Sequence, residues 1–195
     1  YHVDRSWPLC LPERGYVPGA APQQLLNHRY RLDVRIGRGG MGDVWRAHDE
    51  ARDGALVAIK LMPEGLDEVD RRRFEREVRV LQGISHPSVV PLLDIGWEGG
   101  SLFYVMEYVG PISLEDVFLA HPEGLPRTRW HWLIDRAAEV LDALSPLHQQ
   151  RLVHRDVKPS NILLRPGSAG ITTGSDWDPL DASRALLADL GLVAR

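Results

Sequence analysis

The sequence predicts an α+β chain, with a mostly antiparallel sheet and one helix in its first half and helices in its second. Three observations carry that expectation. From Tyr30 onward, apolar and polar residues alternate in short runs separated by glycine turns, which is the period of half-buried strands. Two longer stretches, 67–84 and 129–149, repeat apolar residues at helical spacing instead. The length of 195 residues, at 44% hydrophobic and 26% charged, supports a buried core in one domain or two small lobes.

Residues 1–27 carry Pro8, Pro12, Pro18 and Pro22 with Gly15 and Gly19 between them, and no strand or helix period survives there. This segment is expected to be a tail or linker. Leu32, Val34 and Ile36 alternate with Arg31, Asp33 and Arg35 in the first strand. A turn at Gly37-Arg38-Gly39-Gly40-Met41-Gly42 leads into extended residues 43–47. Asp53-Gly54 signals a hairpin into a third strand, Ala55 to Leu61. Phe74, Val78, Leu81 and Ile84 line one face of a helix over Asp67 to Ile84, closed by His86-Pro87. Val89 to Gly96 and Ser101 to Val109 are two further strands around Gly99-Gly100.

The second half opens with a short helix, Leu114 to Leu119. A long one follows from Arg129 to Gln149, with Leu133, Ala137, Val140, Leu141, Leu144 and Leu147 on its apolar stripe and Pro146 able to kink its end. Two short apolar runs, Asn161 to Leu164 and Ala185 to Leu190, flank a Gly/Ser/Thr/Asp-rich stretch from Pro166 to Ser183, which reads as a mobile surface loop without catalytic residues.

Lys and Arg number 23 against 27 Asp and Glu, a net charge of −4. That balance argues against a broad nucleic-acid footprint and leaves room for a local basic pocket. Cys10 is the single cysteine, so neither an internal disulfide nor a cysteine-based zinc site can form, which suits a reducing, cytoplasmic setting. No apolar run approaches the roughly 18 residues of a membrane helix, and no secretion leader is visible. The chain begins at Tyr1, as expected of a piece of a longer protein whose membrane anchor, if any, lies elsewhere.

Four motifs carry chemistry. Gly37-x-Gly39-x-x-Gly42 lets a backbone approach phosphate oxygens, although such glycines often only make a turn. With strands on both sides, it caps a hairpin and does not suit a dinucleotide fold. Val57-Ala58-Ile59-Lys60 sets a lysine among apolar strand residues. Such a lysine either keeps its head in water at a strand edge or meets an anion. Its carboxylate partner would be Glu77, with Glu75 as competitor. His154-Arg155-Asp156-Val157-Lys158-Pro159-Ser160-Asn161 is the most specific signal. It gathers a proton-accepting carboxylate, an ammonium and an amide oxygen suited to a hard cation. Ala188-Asp189-Leu190-Gly191 places a carboxylate at the end of an apolar strand, where a metal ligand or an ordinary strand-end Asp both fit.

In this order the motifs resemble the eukaryotic-type serine/threonine protein kinases, in their bacterial-like form, from about Tyr30 to Arg195. The resemblance implies a bilobal fold, with an N-lobe of antiparallel sheet plus one helix over about 28–109 and an incomplete helical C-lobe over about 110–195. It implies ATP and Mg²⁺ as cofactors and transfer of the γ-phosphate to a Ser or Thr hydroxyl of a protein substrate. In that reading Ile36, Gly37, Gly39, Gly40, Gly42, Val44, Ala58, Met106, Glu107, Val109 and Leu163 surround the nucleotide. Met106 resembles the gatekeeper, and Glu107 and Val109 offer backbone hydrogen bonds to adenine. Lys60 pairs with the phosphates and Glu77, Asp156 orients the substrate hydroxyl, and Lys158 steadies the γ-phosphate. Asn161 and Asp189 hold Mg²⁺. His154, Leu190 and Leu81 are expected to stack as a structural spine, and Leu81 lies one turn beyond Glu77 on the same side.

Two departures stand out. Leu190 replaces the family's Phe and keeps an apolar plug. The chain also ends four residues after Gly191, before the activation segment and the remaining C-lobe helices of the family. Weak phosphate transfer by these residues alone is therefore expected, as is an exposed apolar face on the helix around Trp130 to Leu147, with aggregation or dependence on a partner. The rival expectations are a nucleotide-binding pseudokinase or scaffold, and a small-molecule kinase of related fold.

Overall fold

A computed structural model describes residues 21–39, 42–62, 72, 75, 78, 79, 81–166 and 184–188. The first half is a six-stranded antiparallel sheet. Its strands are β1 (Leu25–Leu26), β2 (Tyr30–Gly39), β3 (Gly42–Asp49), β4 (Ala55–Leu61), β5 (Leu92–Glu98) and β6 (Ser101–Glu107), in the spatial order β1-β2-β3-β4-β6-β5. The second half holds helices α1 (Leu114–Ala120) and α2 (Trp130–Gln149) and an antiparallel pair, β7 (Ile162–Arg165) with β8 (Arg184–Leu187). Arg72, Glu75, Val78, Arg79, Leu81 and Gln82 are helical, as the periodicity predicted. Ile84, expected as the last residue of that helix, lies beyond it, after a turn at Gly83.

The alternation expected of the first strand is interrupted. β2 pairs with β3 through register shifts between Leu32 and Val34 and between Arg35 and Gly37. These bulges turn Val34 outward, although Leu32 is wholly buried. The next hairpin closes through a 3-10 turn, Glu50–Arg52, in which the Asp49 carboxylate accepts from the Ala51 N–H. Asp53 and Gly54 follow with φ of 52° and 72°, the left-handed backbone that their pairing predicted. β5 starts at Leu92, later than expected, because residues 88–90 bond to β8 instead. Val90 donates to the Leu187 carbonyl, and Leu187 donates to that of Ser88.

Each half has its own core. Leu26, Leu32, Trp45, Ile59, Phe103 and Val105 are buried together in the sheet half. An ion-paired staple fastens this half, with Arg29 meeting both carboxylate oxygens of the buried Asp49 at 2.8 Å while the Tyr30 hydroxyl donates to Asp94 at 2.6 Å. The Arg29 guanidinium holds the Asp49 carboxyl below its usual range, and burial with the Asp94 bond pushes the Tyr30 hydroxyl well up. In the helical half Leu81, Val117, Val140, Leu147, Leu164 and Leu187 form the core. α1 begins with a reciprocal cap between Ser113 and Asp116. α2 packs on β8 through Arg136, Val140, Ala143 and Leu147, whereas Ala137 and Leu141 from the expected stripe face outward. No described helix is long and apolar enough to cross a membrane. The tail through residue 20 and the stretch 167–183 lie outside the described residues, Cys10 included.

Candidate active site

The glycine hairpin is the tip of β2 and β3, where Gly39 pairs with Gly42 and Gly37 with Val44. Gly42 has φ +113°, and a Cβ there would run into the Leu61 carbonyl of β4. Gly40 lies outside the described residues. From the hairpin the register leads directly to Lys60, which stands opposite Val44 on one side and Tyr104 on the other. Lys60 is only 3% exposed, so the bland reading of a strand-edge lysine with its head in water is excluded. Glu77 lies outside the described residues. Its competitor Glu75 accepts the Trp97 indole N–H at 3.2 Å, which engages it on β5.

The expected adenine residues are brought together in part. Ala58 is paired with Met106 across β4 and β6. Met106, Val109 and Leu163 belong to one apolar cluster with Val90 and Leu186. Ile36 and Val44 flank the hairpin, Ile36 within the second bulge. Of the Glu107 backbone groups expected to face adenine, the N–H is already engaged, donating to the Pro91 carbonyl at 3.0 Å.

The segment between α2 and β7 holds a compact polar cluster. Asp156 meets the Lys158 ammonium at 2.8 Å, and the Asn161 amide N–H donates to its carboxylate at 2.9 Å and to its carbonyl at 2.8 Å. The Lys158 hydrogen bond, with help from Asn161, holds the Asp156 carboxyl below its usual range. Arg155, with φ +63°, makes the turn, a left-handed conformation that costs a non-glycine residue roughly 1–2 kcal/mol. That turn folds the Asp156 N–H back onto Nδ1 of the buried His154 at 3.3 Å. With Nδ1 accepting, Nε2 carries the proton and donates to the Ala188 carbonyl at 3.0 Å. Ala188 in turn donates to the Asn161 carbonyl at 2.8 Å. The cluster is thereby tied to the residue that precedes Asp189. Asp189 and Leu190 lie outside the described residues, so of the expected spine His154 and Leu81 are described, both buried.

The donor set suits a hard cation at Asn161. Both hydrogen bonds of this side chain use its amide N–H, and its Oδ1 accepts from no described residue. Such an oxygen beside a carboxylate is the kind of ligand Mg²⁺ takes. Among the described residues, no group of three His, Cys, Asp or Glu side chains is placed to hold a metal unaided. Magnesium at such sites ordinarily shares its coordination with phosphates and water.

Two contacts near the site had no sequence signal. Arg165 of β7 donates to the Glu107 carboxylate at 2.7 Å, and Glu139 of α2 accepts from the Ala185 N–H of β8 at 2.7 Å.

A family model described as the protein kinase domain matches residues 30–193. The DNA damage-responsive serine/threonine-protein kinase RqkA of Deinococcus radiodurans is 42% identical over 151 residues, which is 73% of this chain and 21% of that protein. The probable serine/threonine-protein kinase pknA2 of Bifidobacterium longum is 38% identical over 88% of this chain and 23% of its own length. The chain thus spans under a quarter of the length of these two relatives. Among solved structures, a PknI kinase domain of Mycobacterium tuberculosis superposes with a TM-score of 0.71 at 26% identity, covering 91% of this chain and 66% of that one.

Proposed function

This chain belongs to the protein kinase domain family, and from that premise we propose that it serves ATP-dependent transfer of the γ-phosphate to Ser or Thr hydroxyls of proteins. The observation that carries the reading is the Asp156 carboxylate held between the Lys158 ammonium and the Asn161 amide. Phosphoryl transfer passes through a loose, highly charged transition state, so it needs placed charges more than a strong base. Asp156 stays ionised and fixed in direction, which suits a group that accepts and orients a substrate hydroxyl. Lys158, half exposed and paired with that carboxylate at 2.8 Å, sets a positive charge where an incoming phosphate would lie. Lys60 is buried on β4 opposite Val44 of the glycine hairpin, where its ammonium would meet phosphate oxygens. Asn161 and Asp189 would hold Mg²⁺, which neutralises phosphate charge when bound. Dependence on ATP supports a cytoplasmic location for the domain, and the protein substrate is expected to dock beside Asp156.

The test is calorimetric titration with ATP, with and without Mg²⁺, beside Lys60→Ala and Asp189→Ala. Transfer from labelled ATP to Ser and Thr peptides is then measured, with an aminoglycoside and choline as competing acceptors. Mg²⁺-dependent binding lost in both variants, followed by peptide labelling lost in Asp156→Asn, is the expected result. Binding without labelling would favour a nucleotide-binding scaffold. Labelling of the small molecules alone would overturn the protein-kinase reading.

A further inference from the structure

The end of the β7–β8 pair that residues 166–183 connect sets two arginines opposite each other, Arg165 and Arg184. Like charges facing across a strand pair repel, so each guanidinium is drawn outward. Arg184 reaches the Ser88 hydroxyl at 3.4 Å, and Arg165 reaches the Glu107 carboxylate at 2.7 Å. Glu107 ends β6 at the connection between the two halves, and its N–H is held by the Pro91 carbonyl. The start of the connection is thus gripped from two sides, by the sheet half through its backbone and by the helical half through its side chain. The same β7 begins beside Asn161, and its partner β8 runs out to Ala188, whose carbonyl holds His154.

We propose that Arg165 is a positioning residue for the nucleotide: through Glu107 it sets the backbone of residues 107–109 against the adenine and locks that segment to the β7–β8 pair, which begins directly after Asn161. This rests on the nucleotide-site reading given above. Neither Arg165 nor the Glu107 carboxylate touches the reacting atoms. Both are 38% exposed, so the pair adds little to folding stability, and its influence is screened by salt. Its effect belongs in nucleotide affinity, at the scale of an exposed ion pair.

The experiment compares the chain with Arg165→Met, Arg165→Lys and the exchange Glu107→Arg with Arg165→Glu. Affinity for Mg·ATP is read by calorimetry, melting temperature by calorimetric scan, and amide hydrogen exchange at 107–109 by mass spectrometry. Arg165→Met is expected to weaken Mg·ATP roughly two- to fivefold. It should speed exchange at 107–109 and leave the melting temperature unchanged. Arg165→Lys should lose less, the charge exchange should recover affinity, and the difference should close in molar salt. Wild-type affinity in Arg165→Met overturns the proposal, and so does a loss that tracks melting temperature and is not recovered by the exchange. Absence of Mg·ATP binding by the unaltered chain overturns the nucleotide-site reading itself and this inference with it.

Discussion

Gly42 shows how closely backbone geometry governs the hairpin over the site. Its φ of +113° is open to glycine alone, and the Leu61 carbonyl occupies the place of a side chain. Gly42→Ala should cost about 1–3 kcal/mol in urea unfolding and weaken nucleotide binding further, because the hairpin must shift. At Asp156 the charge partners set the pH response. Its folded-state pKa is depressed by Lys158 first and Asn161 next, so the carboxylate's contribution is present above the usual carboxylate range and is lost only as pH falls below it. The acid limb of the transfer rate should therefore lie below that range. Lys158→Met should move the limb to higher pH as well as lowering the rate. Asp156→Asn should lose at least about a hundredfold, the usual worth of a placed proton acceptor. A pH–rate profile of the three proteins checks all of this, and an unmoved limb in Lys158→Met would contradict the assignment of cause.

Among the elements, α2 carries two apolar faces. Val140, Ala143 and Leu147 are buried against β8 and its neighbours, whereas Ile134 and Leu141 are 65% and 68% exposed and Trp130 is half exposed. An unpartnered apolar face on a long helix favours association. Ile134→Lys with Leu141→Lys should reduce self-association in sedimentation velocity and change stability by no more than about 0.5 kcal/mol. Leu147→Ala, on the buried face, should cost about 2–5 kcal/mol through its transfer and cavity contributions. A sharp drop in stability from the exposed pair would mean that the face is covered within the molecule. The sequence predicted this helix and its period correctly but merged the two faces into one stripe. Helical spacing alone does not tell which apolar face a neighbouring strand will cover.

At the scale of the molecule, a ligand that spans both halves should stabilise them together. Mg·ATP at a hundred times its dissociation constant would add about 2.7 kcal/mol to folding stability. The melting temperature should rise with ATP and Mg²⁺ together, and Lys60→Ala should abolish the rise. An equal rise in that variant would place the nucleotide away from the glycine hairpin. The antiparallel sheet, the long helix, the kinase family and the 154–161 cluster were all legible in the residues, because strand and helix periods and a compact polar loop are local patterns. Asp156, Lys158 and Asn161 come together because only a few residues separate them. The bulges that expose Val34, the bonding of residues 88–90 to β8, and the contacts of Arg165 with Glu107 and His154 with Ala188 were not legible. Those last two pairs are 58 and 34 residues apart in the chain. Local preference has no hold at such distances. Only tertiary packing brings these groups within hydrogen-bond reach: one half against the other for Arg165 and Glu107, and the β7–β8 pair against the 154–161 segment for the buried His154 and Ala188.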